Sequence, residues 1–388
     1  MALPDPPLDE LNATTLKSLW PRVVYDQFFL DTPLSAYLRA KCLAPFGGGA
    51  FMQNTHIVKP MIGGFYSMGD NWNITKRDTL TVTSFLPKYI EVAVPEFLER
   101  ILCENVGKEA AFSLVDIDLQ NAMMTGSGIT AVALSNHGQA AGSGVVGNRT
   151  KSVNGWIEAL NDGITPGWDG SVFINYGNNP RNGFSGSTMN SVPYFAGNPA
   201  TGATAPIEYD VIEMLYQTAC KGNRHPDLIT CNKALYAGVK MRIQPQQRFA
   251  QERDPYWGAE GLKINGAMFL ADEYFPSLKF GQNDPDLGNW LTSTFTSPGY
   301  IGDGGGGTAD PRSNLPVIGT TVNVGEVLAM FRTDDILMRI ADNPVYGWGF
   351  GGFIPGQDNS RVVGTVKALL QLQFTACRTH QQAYGFKN

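Results

Sequence analysis

The stretch YDVIEMLYQTACKGNRHPDLITCNKALYAGVKMRIQPQQRF, residues 209–249, and its continuation GAEGLKINGAMFLADEYFP, residues 258–276, decide the fold. Val211, Ile212, Leu215 and Ala219 recur at helical spacing and form one apolar stripe, so the stretch opens with a helix. Pro226 closes a turn, and Leu228-Ile229-Thr230 is short and apolar enough for a strand covered on both faces. Asn232 is placed to cap a second helix, Lys233 to Ile243, because its side-chain oxygen can accept a free amide of the first turn. A connector and a two-strand ribbon follow, and Pro276 stops the run. No residue in this set is a chemical reagent. The run reads as a rigid building element.

Composition narrows the class. At 388 residues the chain is long enough for two or more domains with cores of their own. Charged residues are 16% of it, below the roughly 25% of ordinary soluble domains, which points to contact surface where charged surface would otherwise be. The glycines and prolines fall in loops between well-patterned segments, which argues against global disorder. Net charge is −6 and no stretch concentrates Lys or Arg. A dedicated nucleic-acid groove is therefore not expected, since such grooves owe their affinity to phosphate neutralisation. Cys42, Cys103, Cys220, Cys231 and Cys377 are odd in number and lie mostly in apolar segments, and they read as buried free thiols. The opening MALPDPPLDELNATTLKSLW lacks a basic start followed by an apolar run, so no signal peptide is expected. No apolar stretch of about 18 residues is present to span a membrane.

Around the opening run the chain divides into six parts. Residues 1–45 read as an N-terminal arm whose Trp20, Phe28 and Phe29 need a covering surface. Residues 46–85 read as an extended β-hairpin with a glycine-flanked tip, its return limb Thr79-Leu80-Thr81-Val82-Thr83 alternating with period two. Residues 86–170 carry the strand Tyr89–Val94 and a spine helix over 107–125 that Gly126-Ser127-Gly128 should end. Residues 171–320 hold the opening run, and 135–206 and 281–316 read as long surface or contact loops. Residues 321–375 read as return strands, with Gly347–Gly352 a turn between two of them, and 376–388 as a C-terminal segment.

Chemistry is hard to find. His56, His137, His225 and His380 are far apart and match no metal-binding frame, so surface or capping roles are expected. Asp303-Gly304-Gly305-Gly306-Gly307-Thr308 lacks the Lys-Ser/Thr ending of a phosphate loop. Asp116 and Asp118 point to different sides of a helix and make no acid–base pair. Asp334-Asp335 and Asp284/Asp286 read as solvated turns. Tyr256-Trp257 and Trp348/Phe350 read as packing at a core or a subunit contact. No catalytic, cofactor-binding or metal-ligating set is expected, and no cofactor.

The order of these elements resembles the major capsid proteins of tailed bacteriophages with the Hong Kong 97-type fold. The resemblance rests on the arm, the glycine-flanked hairpin, and the strand and spine helix after it. It continues through Ile174-Asn175-Tyr176-Gly177 with Arg181, His225-Pro226-Asp227-Leu228-Ile229, Gly261-Leu262-Lys263-Ile264-Asn265-Gly266-Ala267, and the step from Asp272 to Pro276. It covers roughly residues 20–385, with motifs specific mainly in their sequence of appearance. The fold it implies is α+β, with an arm, an extended loop, a peripheral domain holding the spine helix, and an axial domain containing the opening run. The 321–375 strands would then return through the peripheral domain, and the C-terminal segment would lie near the axial domain.

The implied function is non-enzymatic: self-assembly into hexamers and pentamers of an icosahedral virion shell around double-stranded DNA, built in the host cytoplasm. The implied partners are other copies of the chain, a separate scaffolding protein, a portal, a decoration protein and DNA contacted non-specifically, with no membrane. At the subunit interface Lys59, Asp70, Lys76, Arg77 and Asp78 are expected to form salt bridges across the hairpin, and Trp20, Phe28 and Phe29 to add contacts from the arm. Two alternatives stand beside this. One is a nanocompartment shell of the same fold around protein cargo. The other is a secreted β-rich glycan-binding protein or hydrolase, to which the Asn/Gly/aromatic loops point.

Overall fold

The computed structural model describes residues 32–47, 49–56, 65–71, 80–97, 114–135, 138, 153–165, 167, 172–181, 190–196, 205–243, 252–253, 260–272, 275, 326–355 and 361–387. Helix α1 (Pro33–Cys42) leads into β1 (Leu43–Phe46), then β2 (Phe51–His56), β3 (Leu80–Phe85) and β4 (Lys88–Phe97). Helix α2 (Leu114–Leu134) and the single turn α3 (Trp156–Ala159) follow, then the short strands β5 (Asn175–Tyr176), β6 (Asn179–Pro180), β7 (Tyr194–Phe195) and β8 (Ala205–Pro206). The opening run of the sequence forms α4 (Tyr209–Ala219), β9 (Leu228–Cys231), α5 (Lys233–Ile243), β10 (Glu252–Arg253), β11 (Glu260–Ile264) and β12 (Ala267–Ala271). The chain then gives β13 (Glu326–Phe331), a 3-10 turn at Thr333–Asp335, β14 (Ile336–Ala341), β15 (Gly347–Pro355), β16 (Arg361–Phe374) and β17 (Gln381–Lys387).

Two units separate. The larger comprises residues 32–88, 130–339 and 370–388. Its main sheet runs β10-β11-β12-β9-β13-β17-β7, with β8 also on β17. Central β9 is buried along its whole length, parallel to β12 and antiparallel to β13, as a strand covered on both faces must be. Ile212 and Leu215 of α4 and Leu235 and Val239 of α5 pack with Ile229, Phe269, Leu328, Met330 and Phe386 of the sheet. Two local devices fix the helix and the ribbon. Asn232 accepts the Leu235 N–H at 2.7 Å and caps α5. Asn265 and Gly266, both at positive φ, make the two-residue turn between β11 and β12.

The smaller unit comprises the described residues within 89–129 and 340–369. Here β4 and β15 both pair with β16. Ala122 of α2 packs on Val94 and Val366, with Leu119, Val92, Trp348 and Phe350 around them.

Several expectations change. The spine helix runs on to Leu134 and is not stopped by Gly126-Ser127-Gly128. At Gly126 a Cβ would come within 2.2 Å of the Trp348 ring, so this glycine is a packing notch inside the helix. Gly347–Gly352 is part of a strand, β15, paired with β16 through two register shifts. β13, expected among the return strands with β16, lies between β9 and β17 in the main sheet, and residues 130–170 group with that sheet too. Asp335, expected as a solvated turn residue, is buried and accepts the Thr379 hydroxyl at 2.8 Å, with Arg224 at 3.4 Å and Arg332 at 3.6 Å. Asp334 beside it is exposed and pairs with Arg332. Asp284 and Asp286 lie outside the described residues.

His380 also departs from a surface or capping role. It is buried, its Nδ1 accepts the Arg332 N–H at 3.1 Å, and the rings of Phe331 and Phe374 flank it. Burial first, then the charge of Arg332, pulls its pKa from 6.5 down to about 3. Between those two values the unfolded chain binds a proton that the folded chain refuses. Stability is therefore lost as pH falls from 6.5 toward 3, with a slope approaching ~1.4 kcal/mol per pH unit. Urea unfolding of His380→Gln across that window should show a shallower acid slope than the natural chain. Equal slopes would contradict this account of the buried ring.

Candidate assembly interface

The ribbon β2–β3 carries the feature most relevant to assembly. Its register pairs Phe51 with Phe85, Met52 with Ser84, Gln53 with Thr83 and Asn54 with Val82. Directly opposed residues share a face, so the ribbon has two distinct sides. One side holds Phe51, Thr83 and Phe85, exposed by 7%, 2% and 3%. The other holds Met52, Leu80 and Val82, exposed by 75%, 65% and 49%. The alternation seen in the sequence is therefore inverted relative to an ordinary surface hairpin: threonines turn toward the body, while aliphatic side chains turn outward. Farther along, Phe65 and Met68 are fully exposed and Tyr66 largely so.

A clasp at the ribbon's root grips β3. Residues 175–180 form a small hairpin, β5–β6, whose turn at Gly177 and Asn178 has positive φ at both positions. The Gly177 carbonyl accepts the Ser84 N–H at 3.0 Å, and Asn178 Nδ2 donates to the Ser84 hydroxyl at 2.6 Å. Asn179 accepts from the Thr81 hydroxyl at 3.0 Å and donates to the Val82 carbonyl at 2.8 Å. A Cβ at Gly177 would meet the Phe85 ring at 2.8 Å, so the clasp closes only over glycine.

Beneath the clasp lies Arg181, fully buried. Its Nη1 donates to the Asn161 carbonyl at 2.6 Å, and its Nη2 to the carbonyls of Glu158 and Ala159 at the end of α3. The guanidinium lies over the Tyr176 ring, 4.9 Å from its centroid. Burial lowers the Arg181 pKa from its ordinary value, and opposing charges hold it up. Tyr176 in turn accepts the Phe374 N–H at 2.9 Å and meets Phe85 edge to face at 5.1 Å. One chain of contacts thus links α3, the clasp, the ribbon and β16.

Of the residues expected at the interface, Asp70 alone is among the described residues. Asp70 is exposed, and its carboxylate accepts the Ser67 N–H at 2.7 Å, a use within its own turn. Lys59, Lys76, Arg77, Asp78, Trp20, Phe28 and Phe29 lie outside the described residues. The outward Met52, Leu80 and Val82 were not singled out from the sequence, although the period-two alternation there was the available signal. Asn178 and Asn179 were missed because an Asn-rich run reads as a loose loop. The stretch 135–206, expected as surface loops, instead buries Trp156, Ile157, Leu160, Phe173, Tyr176 and Arg181.

Other site chemistry is sparse. Among the described residues no three His, Cys, Asp or Glu side chains are grouped to hold a metal ion. Cys42, Cys231 and Cys377 are buried free thiols, and Cys220 is partly exposed beside His225 Nδ1 at 3.0 Å. No helix among the described residues is long and apolar enough to cross a membrane.

Two substitutions test the clasp. Gly177→Val and Arg181→Leu should each destabilise the larger unit, the second by ~3 kcal/mol or more, because it strands buried carbonyls. Chemical denaturation measures both, and unchanged midpoints would remove the clasp from the account.

No protein-family model matches the sequence, and neither does any curated protein. Solved structures do. The capsid asymmetric unit of cyanophage A-1(L) is 12% identical, with a TM-score of 0.58 and 100% of both chains covered. The capsid of the native GTA particle is 11% identical, with a TM-score of 0.56 over 94% of this chain and 93% of that one. The holo-SrpI encapsulin complex from Synechococcus elongatus PCC 7942 is 10% identical, with a TM-score of 0.53 over 100% of this chain and 97% of that one. The superposition over most or all of the chain shows the Hong Kong 97-type α+β fold of these capsid and encapsulin shells.

Proposed function

We propose that the chain is the major capsid protein of a tailed phage, a non-enzymatic subunit that closes hexamers and pentamers into an icosahedral shell around double-stranded DNA. The observation that carries this reading is the outward apolar face of the ribbon, Met52, Leu80 and Val82, held in place by a built clasp. Side chains of that size are kept off water when a neighbour covers them, and the neighbour in a ring of identical subunits is another copy of the chain. Each contact is then heterologous, and its rotation closes the ring. The same proposal gives Lys59, Asp70, Lys76, Arg77 and Asp78 inter-subunit salt bridges, and Trp20, Phe28 and Phe29 contacts from the arm. The slightly acidic chain suits a container that holds DNA without binding it tightly. A scaffolding protein, a portal and a decoration protein complete the set of partners, and the shell is assembled in the host cytoplasm and resides in the virion.

A second reading has a specific observation behind it: the encapsulin likeness also spans the whole chain. In that case the same shell surrounds protein cargo. The nucleic-acid content of purified particles separates the two. DNA-filled or DNA-packaging shells support the phage reading, and shells that retain a protein cargo without DNA overturn it.

The interface itself is tested by Met52→Ser, Leu80→Ser and Val82→Ser together. These side chains are outward in the single chain, so the triple variant should unfold within about 1 kcal/mol of the natural chain. It should remain as unclosed subunits in sedimentation and electron microscopy. Normal shells from the triple variant would sink the assigned role of this face.

A further inference from the structure

The two attachments of the hairpin converge on one buried residue. Glu158, in α3, is completely buried. Its Oε1 accepts the Gly138 N–H, and its Oε2 accepts Asn154 Nδ2 at 2.6 Å. Lys88 begins β4 a few residues after the ribbon ends, and its Nζ reaches the Gly138 carbonyl at 3.4 Å. Arg181, under the clasp, donates to the main-chain carbonyl of Glu158 itself. Asn154 is fixed from the other side by Gln371, whose amide nitrogen also holds the Leu86 carbonyl at 2.8 Å. Loss of solvent lowers the pKa of both Lys88 and Arg181, and the charge of Glu158 acts against that loss in each.

A carboxylate without water persists only where cations and donors replace its hydration. Here the donors are the Gly138 N–H and Asn154 Nδ2, and each is tied onward to the hairpin attachment, Gly138 through Lys88 and Asn154 through Gln371 and the Leu86 carbonyl. We propose that Glu158 is the positioning residue of the hairpin, the hub through which the contacts of Lys88 and Arg181 fix the direction in which the β2–β3 ribbon leaves the larger unit. A consequence for shell closure rests on the capsid reading above. The positioning role itself belongs to the single chain and stands apart from that reading.

The test compares hydrogen–deuterium exchange in the full chain for Glu158→Gln, Glu158→Asp, Lys88→Met and the Glu158→Gln/Lys88→Met pair. Amides of residues 51–56 and 80–85 report the ribbon, and those of residues 228–231 and 326–331 serve as the internal reference. Glu158→Gln should lower ribbon protection about tenfold or more while the reference strands keep theirs. Glu158→Asp should restore most of the protection, and Lys88→Met should add little on top of Glu158→Gln because the pair acts as one unit. Lys88→Met alone carries the same contrast should Glu158→Gln not fold. Unchanged ribbon protection, or an equal loss in the reference strands, would overturn the positioning role. Failure of the natural chain to form shells would overturn the capsid reading and leave the exchange result to decide this one.

Discussion

Arg181 occupies a space without water, and its guanidinium is held there because the carbonyls of residues 158, 159 and 161 and the face of Tyr176 stand in for solvent. A cation in that position is costly to unpair, so the groups around it have little freedom to shift. Tyr176 is pinned by the Phe374 N–H, and the clasp that follows it grips the backbone of β3 at Val82 and Ser84. The ribbon is therefore an extension of the core and not a loop laid on the surface. Its orientation follows from a network anchored on buried Arg181 and Tyr176.

That rigidity gives the apolar face its meaning. Free in solution, a floppy hairpin bearing Met52, Leu80 and Val82 would fold them onto the nearest apolar surface. The clasp prevents this, since Phe51, Thr83 and Phe85 already occupy the inner side and alternation fixes the rest outward. Covering such side chains is worth roughly 1.5–3 kcal/mol each when burial is complete. One chain cannot collect that term, whereas in the proposed ring of copies every contact would. The pre-organised ribbon also pays little ordering entropy on contact, which favours closed assemblies over loose ones.

The sequence disclosed what local spacing controls. The α4 stripe, the covered β9 strand, the Asn232 cap of α5 and the Asn265-Gly266 turn all arise from neighbours in sequence, and each lies where the pattern puts it. The two strands of the hairpin were legible for the same reason. Features set by distant partners were not. Gly126 reads as a helix stop until Trp348 is seen filling its notch, and Gly347–Gly352 reads as a turn until β16 pairs with it. Asp335 and His380 look like surface residues because their partners, Arg224, Arg332 and Thr379 for one and Phe331 and Phe374 for the other, come from remote segments. At the interface, expectation followed the charges of the hairpin, whereas the described surface is dominated by aliphatic side chains. Facing direction, which the alternation alone leaves ambiguous, is what turns Met52, Leu80 and Val82 outward.

The central claim is that a clasped ribbon presents an apolar face for a second copy of the same chain. The most direct measurement is a cryo-electron microscopy map of the particles formed by the purified natural chain. The account predicts closed shells in which Met52, Leu80 and Val82 of each subunit lie against a neighbouring subunit, excluded from solvent. Shells in which that face remains open to water, or a chain that stays monomeric at high concentration, would contradict it.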